Sequence, residues 1–326
     1  MMITTAPLRT RTMTAHFRSS KDLKKGVFSL KRKHSRERRT EALQAYVLLL
    51  PTLLGMAFLS VGATIGAIAL GFTDYSVKWP PNFIGLNNYR LLFTNRIFPT
   101  VIRVTFTSAL INVVPCVLIA LLLALLVNQP IRGARFWRAV YFWPVVGSMT
   151  AISLLWGFLL NPQFGLVNYL LATLGVRGPD WFSSTRWSIV AIGIIFVWKN
   201  VGYYMTMLLA GLQGIPESLY ESAMIDGAGP FRRTFSITLP MLSPSLFFVT
   251  IMACIASFQV FDPILVTGLN GGPAHSTTTL SYYVYQNAFQ FMKMGFASAC
   301  ATVLFLIIAA FTLLQFKLQD KWVFYG

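Results

Sequence analysis

The residues of this 326-residue chain that can do chemistry are polar side chains set inside long apolar stretches. Polar groups in such places are costly and are functional candidates by default. Lys199 and Asn200 follow Trp198 and precede Tyr203 in one stretch, and Ser257 and Gln259 lie in another, with Asp262 near its end. Amides donate to and accept from hydroxyl groups, Trp and Tyr rings stack on sugar faces, and a lysine adds a cation suited to an anionic group. These are groups for holding a solute, not for breaking bonds. A hydrolase needs a nucleophile with a base, or a metal cluster. The histidines are His16, His34 and His275, all outside the apolar stretches, and no HExxH or GxSxG pattern occurs. Cys116, Cys254 and Cys300 sit inside apolar blocks without metal or disulfide spacing and read as small packing residues. No GxxxxGK[ST] segment is present, so the chain is expected to hold no ATP, metal or other cofactor itself.

These residues need a scaffold, and composition names it. Hydrophobic residues make up 55% of the chain and charged residues 11%, against about 25% charged in an average soluble protein. A membrane-crossing helix needs about 20 largely apolar residues. Six blocks qualify: 44–72, 103–127, 139–160, 188–211, 245–268 and 295–316. Backbone polar groups cannot stay unpaired in lipid, so each block is expected to be a helix. The short alternating pattern of barrel strands is absent. The expected fold is an all-α integral membrane protein with six transmembrane helices.

The net charge of +17 is concentrated at one end: 12 of the 27 Lys and Arg precede residue 42. A basic segment next to an apolar span reads as a cytoplasmic membrane flank that meets lipid, and no nucleic-acid module accompanies it. Residues 1–42 are therefore expected to be a retained cytoplasmic tail, and 43–326 the transmembrane domain. Assigning the tail and alternate loops to one side puts 19 Lys and Arg there against 6 on the other. Both termini are thus expected in the cytoplasm. Gly62 and Gly66 form a GxxxG step suited to close helix packing. Trp79, Trp137, Trp181 and Trp187 fall near expected interfaces, where aromatic anchors gather.

The longest cytoplasmic loop between spans, 212–244, has a structure of its own. Pro216 suits the start of a helix. Glu217 and Glu221 lie toward its positive end. Gly227 can close it by adopting positive φ, and Pro230 blocks simple continuation. A short helix lying off the membrane follows, then an apolar segment reaching Leu239-Pro240.

The spacing Glu221-Ser222-Ala223, three residues, Gly227, nine residues, Ile237-x-Leu239-Pro240 closely resembles the EAA loop of ABC importer permeases, with Ser222 where an Ala is usual. Three further segments resemble the carbohydrate branch of that family: 83–89 (FIGLNNY), 161–168 (NPQFGLVN), and Gly271-Gly272-Pro273 with Ser276 to Thr279. The resemblance implies the ABC importer permease fold, with the loop as a cytoplasmic coupling helix docking into an ATPase. On that reading Tyr220, Met224 and Phe231 fill the ATPase groove. Ser222, Ala223 and Gly227 allow close approach, Glu221 meets a basic residue, and Asp226 belongs to the same surface. By likeness to maltose-type importers, the positions after Trp198 face the sugar, giving Lys199, Asn200, Tyr203, Ser257 and Gln259 as the substrate path. Each has a second reading: Lys199 pairing with an acid of a partner, Asn200 bonding a neighbouring helix. Asn112 reads as structural.

The resemblance further implies a second homologous permease, two ABC ATPases that bind ATP and Mg, and an extracytoplasmic solute-binding protein, in a bacterial plasma (inner) membrane. Cargo would be an oligosaccharide or sugar derivative. Lys199 in the path would suit an anionic one, alginate fragments or a glycerol phosphate included, beside a neutral oligosaccharide. The rival from another transport class is an ion-coupled secondary sugar carrier. It would need ionisable groups inside the spans, and these are few. No internal repeat supports it.

Overall fold

The computed structural model describes residue 41 and residues 44–78, 80–130, 132–321, 323 and 324. The basic tail, apart from Glu41, and Trp79 lie outside the described residues. Five helices are long and apolar enough to cross a membrane: Gln44–Leu70, Phe98–Val127, Trp187–Gln213, Pro230–Val266 and Met294–Gln319. A pair of shorter helices, Ala134–Val146 and Met149–Leu159, meets the same length and hydropathy criteria when taken together and is bent by 101° at the break between them. The six blocks expected from sequence therefore all return as helix.

The chain divides into residues 1–64 and residues 65–326. The described part of the first unit is helical, with a widened π turn over Met56–Gly62. Its large side chains are bare: Leu48 is 79% exposed and Phe58 84%. Hydrocarbon chains are as apolar as Leu, so lipid solvates such a surface at no penalty. In the second unit, a Cβ added at Gly66 would meet nothing within 4 Å. The close packing expected of the GxxxG step is thus not formed among the described residues.

In the second unit the Phe98–Val127 and Trp187–Gln213 spans share the most extensive contact. Association in lipid gains nothing from hiding apolar surface and depends on close packing and interhelical hydrogen bonds. Small residues make that possible. Cys116, Ala120 and Ala124 are fully buried on one span. On the other, Gly193 leaves only 2.6 Å between an added Cβ and Ile111 Cγ2. Phe196, Tyr204, Met205 and Leu208 complete the core with Leu242 and Val249 of the fifth span.

Two spans differ from their expected outlines, each for a local reason. The third block, 139–160, is expected as one helix. It breaks at Gly147 (φ −68°, ψ 150°), and Ser148 caps the second half, its Oγ accepting from Ala151 N at 3.2 Å. Pro144 removes one backbone donor just before the break, and Gly-Ser pairs are recurrent kink sites. The fifth was read as starting near 245. Helix in fact runs from Pro230 through a widened turn at Thr234–Thr238 into Leu239–Phe258. The orphaned Pro240 carbonyl, which Pro244 cannot serve, accepts from Ser243 Oγ at 2.6 Å. The 37-residue path Pro230–Val266 is roughly 55 Å long at 1.5 Å per residue.

The segments that resemble family loops have structural work to do. Asn88 Nδ2 donates to Gly71 O (2.9 Å) and Thr73 O (2.8 Å), tying the end of the first span to the helix Asn87–Thr94. Asp74 accepts from Asn82 Nδ2 (3.0 Å) and Asn82 N (2.6 Å). The Asn82 side chain first, then its backbone N–H, hold the carboxyl below its ordinary value of 3.8. These bonds act in full above that value and are lost as pH falls through the lowered one. Asn168 accepts from Trp181 Nε1 at 2.8 Å and donates to Pro179 O at 3.1 Å. Trp181, expected as an interfacial anchor, is 6% exposed and packs edge-on against Trp187. Its indole N–H is satisfied inside the protein, so it needs no headgroup partner.

Candidate functional site: a coupling surface and a polar membrane interior

Between the fourth span, which ends at Gln213, and the helix that begins at Pro230 lies a connecting segment that stands off the main body. Its helix is Glu217–Ile225, with Pro216 at the N-cap, one position earlier than the sequence suggested. Only Glu217 lies in the first turn, so Glu221 draws little on the helix dipole. The far end is a Schellman closure: Ala228 N donates to Ala223 O (2.8 Å) and Gly227 N to Met224 O (3.0 Å), with Gly227 at φ +77°. A glycine is needed at that φ.

One face of this helix is fixed to the protein and the other is free. Tyr220 was expected to reach outward. Instead it packs on the main core, and its hydroxyl pairs with Thr238 Oγ1 at 3.0 Å. Tyr220 thus anchors the helix to the base of the long fifth span. Ala223 is half-buried beside it. Ser222 Oγ donates to Ser218 O at 2.9 Å, within the helix. The free face carries Glu221, Met224, Ile225 and Asp226, joined by Phe231 from the next helix and Phe235 beyond it. Ile225 is 87% exposed and Phe231 81%. A large apolar side chain this bare outside the membrane-length helices, as Ile225 is, marks an interaction surface. Ile225 and Phe235 escaped the sequence reading. The available signal was an Ile one turn beyond Glu221, on the same helix face.

The five membrane residues do not converge on one lumen in this conformation. Lys199 is half-buried, and its Nζ donates to Pro144 O (3.1 Å) and Val145 O (2.6 Å) at the break of the third span. Asn200 donates back to Phe196 O of its own helix at 2.8 Å. Tyr203 is half-buried against Tyr204, with ring centroids 5.5 Å apart. Ser257 is 2% exposed, and its Oγ accepts from Asn112 Nδ2 at 2.9 Å, a bond joining the second and fifth spans. Gln259 caps the fifth-span helix and leaves its side chain exposed, while its carbonyl accepts from Ser281 Oγ at 3.2 Å. Asn112 Nδ2 also lies 3.3 Å from Ser108 Oγ, one turn earlier on its own helix. Ser257→Ala should cost about 0.6–1.7 kcal/mol of stability, the range for interhelical side-chain bonds in lipid. A thermal shift of the detergent-purified protein of a few degrees, with unchanged cargo preference, is the expected outcome.

Among the described residues no group of three or more His, Cys, Asp and Glu is placed to hold a metal ion. A cavity of about 900 Å³ lies in the elbow of the third span, lined by Trp143, Trp156 and Trp198 together with Pro115 and Pro144.

Comparison with known proteins bears directly on this arrangement. The family described as "Binding-protein-dependent transport system inner membrane component" matches residues 132–325, which include the segment 212–244. A probable ABC transporter permease of Bacillus subtilis, YesP, is 33% identical over 297 residues, covering 90% of this chain and 96% of the relative. The sulfoquinovosyl glycerol transport system permease SmoG of Agrobacterium fabrum is 36% identical, covering 85% of this chain and 91% of SmoG. The sn-glycerol-3-phosphate transport system permease UgpA of Pectobacterium atrosepticum is 34% identical, covering 74% and 82%. A chain of a bacterial alginate ABC transporter, solved with a periplasmic protein carrying an alginate pentasaccharide, superposes with a TM-score of 0.76 at 22% identity. It covers 87% of this chain and 96% of that one. Several membrane-length apolar helices and this family match lead to one conclusion: the chain belongs to the binding-protein-dependent transport system inner membrane components, the multi-pass permeases of ABC transporters.

Proposed function

We propose that this chain is the membrane-spanning subunit of an ATP-driven importer for a sugar or sugar derivative delivered by an extracytoplasmic solute-binding protein. The observation that carries the reading is the projection at 217–235, anchored through Tyr220 on one face and presenting Ile225 and Met224 beside Glu221 and Asp226 on the other. A side chain such as Ile225, exposed outside the membrane spans, has a purpose if a partner covers it. The partner proposed is an ABC ATPase, which binds ATP and Mg, so this chain needs no nucleotide site. Two ATPases and a second homologous permease would complete the assembly. Both termini and the projection would then lie in the cytoplasm, as the Lys and Arg distribution favours.

The carbohydrate assignment rests on relatives named for sulfoquinovosyl glycerol and sn-glycerol-3-phosphate transport. Asn200, Tyr203 and Gln259 are the proposed contacts along the path, supported by their amide and aromatic chemistry. Anionic cargo has no support from Lys199, whose ammonium is already engaged by two carbonyls. The test is reconstitution with candidate ATPase, second permease and binding protein. ATP hydrolysis is then measured across sulfoquinovosyl glycerol, glycerol phosphate, uronic-acid oligosaccharides and neutral oligosaccharides. Stimulation by one sugar class, only with its binding protein, supports the reading. No stimulation by any of them, from an assembled complex, counts against a sugar cargo.

A further inference from the structure

The third apolar segment is broken at Gly147 and Ser148, and a break inside an apolar segment exposes backbone. The last four carbonyls of any helix lack intrahelical partners, and lipid offers none. Here the helix Ala134–Val146 ends at Gly147, and two of its last carbonyls, Pro144 O and Val145 O, both receive the ammonium of Lys199. Lys199 stands midway along Trp187–Gln213. A cation at a helix C-terminus also meets the negative end of the dipole.

The neighbours of Lys199 act on the same elbow. Trp198 packs edge-on against Trp156 of the second half, with centroids 5.9 Å apart. Gly202, one turn further on, lies against the backbone of Tyr141 and Phe142 in the first half. A short stretch of the fourth span thus grips both arms of the bend, and the cavity of about 900 Å³ lies between them.

We propose that Lys199 is a positioning residue: its ammonium caps the broken third span, fixes the elbow angle, and so holds the shape of the membrane cavity through which transport changes are relayed. It is not the ligand of an anionic cargo. The proposal rests on family membership and holds whether or not the cargo is a sugar.

The experiment uses the reconstituted complex with Cys116, Cys254 and Cys300 replaced by Ala and a nitroxide on Val146→Cys at the end of the first arm. Val146 is 80% exposed, so the label displaces little. The Lys199→Met variant removes the donor at similar length, Lys199→Gln keeps a neutral donor, and Lys199→Arg keeps the charge. Lys199→Met should give a more mobile EPR spectrum and at least about ten-fold slower uptake, from the loss of the charge-assisted hydrogen bonds to Pro144 O and Val145 O. Lys199→Arg should restore both in large part, and the ratio of uronic-acid to neutral oligosaccharide stimulation should not change. An unchanged spectrum in Lys199→Met overturns the proposal, as does selective loss of uronic-acid stimulation. If Lys199→Met does not assemble, Lys199→Gln is read by the same two criteria. The wild-type stimulation assay stands apart: its failure would count against the sugar reading and leave the elbow result intact.

Discussion

Replacing Gly202 with valine is expected to abolish recovery of folded permease. Gly202 faces backbone, not a flexible side chain: an added Cβ would overlap Tyr141 O and stand 3.1 Å from Phe142 Cα. Backbone cannot swing aside as a side chain does, so the third and fourth spans would have to separate. Their separation would break the Lys199 cap on Pro144 O and Val145 O. Overpacking alone costs about 1–3 kcal/mol, occasionally more, and losing the charged bonds adds about 1.5–3 kcal/mol. The sum is a large share of the roughly 5–15 kcal/mol that holds a folded protein together. Size-exclusion chromatography of the detergent-solubilised variant reads this directly. Gly202→Val should elute as aggregate, while Gly214→Ala, where an added Cβ meets only its own helix at 3.4 Å or more, should elute as wild type. A monodisperse, transport-competent Gly202→Val protein would mean that the elbow packs differently.

The second large effect is expected at the projection. Ile225→Asp with Phe231→Asp puts two carboxylates where the proposed ATPase groove closes over apolar side chains. Truncating a centrally buried interface residue costs about 2 kcal/mol or more, and a desolvated unpaired charge costs more than truncation. Stimulated ATP hydrolysis should therefore fall at least about 100-fold, by the 1.4 kcal/mol per decade rule. The fold should survive, because both side chains are more than four-fifths exposed and support nothing within the chain. Tyr220→Phe makes a useful contrast. It removes only the pairing with Thr238 Oγ1, loosening the anchor while leaving the docking face intact. Its expected effect is a partial loss of coupling. If the double variant still binds and stimulates the ATPase, the docking face lies elsewhere.

Much of this molecule is legible in the residue order because lipid is an exacting solvent. It forces backbone pairing into helices and leaves each span as an apolar block, so the apolar helices can be read without a structure. The projection was equally readable, since Pro216, Gly227 and Pro230 impose backbone limits that do not depend on packing. What escaped were events that depend on a neighbour. Hydropathy treats 139–160 as one span, because Gly147 and Ser148 lower the average little, yet the pair redirects the chain by 101°. Lys199 read as a lumen cation for the same reason: nothing in its own stretch reveals two free carbonyls 54 and 55 positions earlier. Tyr220 read as outward because helix periodicity gives faces but not which face the fifth span would cover. The bond between Ser257 and Asn112 is hidden in the same way, its two ends lying 145 positions apart.

The energy source is the point on which the whole account turns. Proteoliposomes holding this permease, its partner permease and the ATPases can be loaded with ATP or with a non-hydrolysable analogue. Uptake of labelled sugar is then followed with binding protein outside, with and without ionophores that collapse proton and sodium gradients. The account predicts accumulation only with hydrolysable ATP and binding protein, unchanged by the ionophores. Uptake that proceeds without ATP and stops when the ion gradient is removed would contradict it, and would make the chain an ion-coupled carrier.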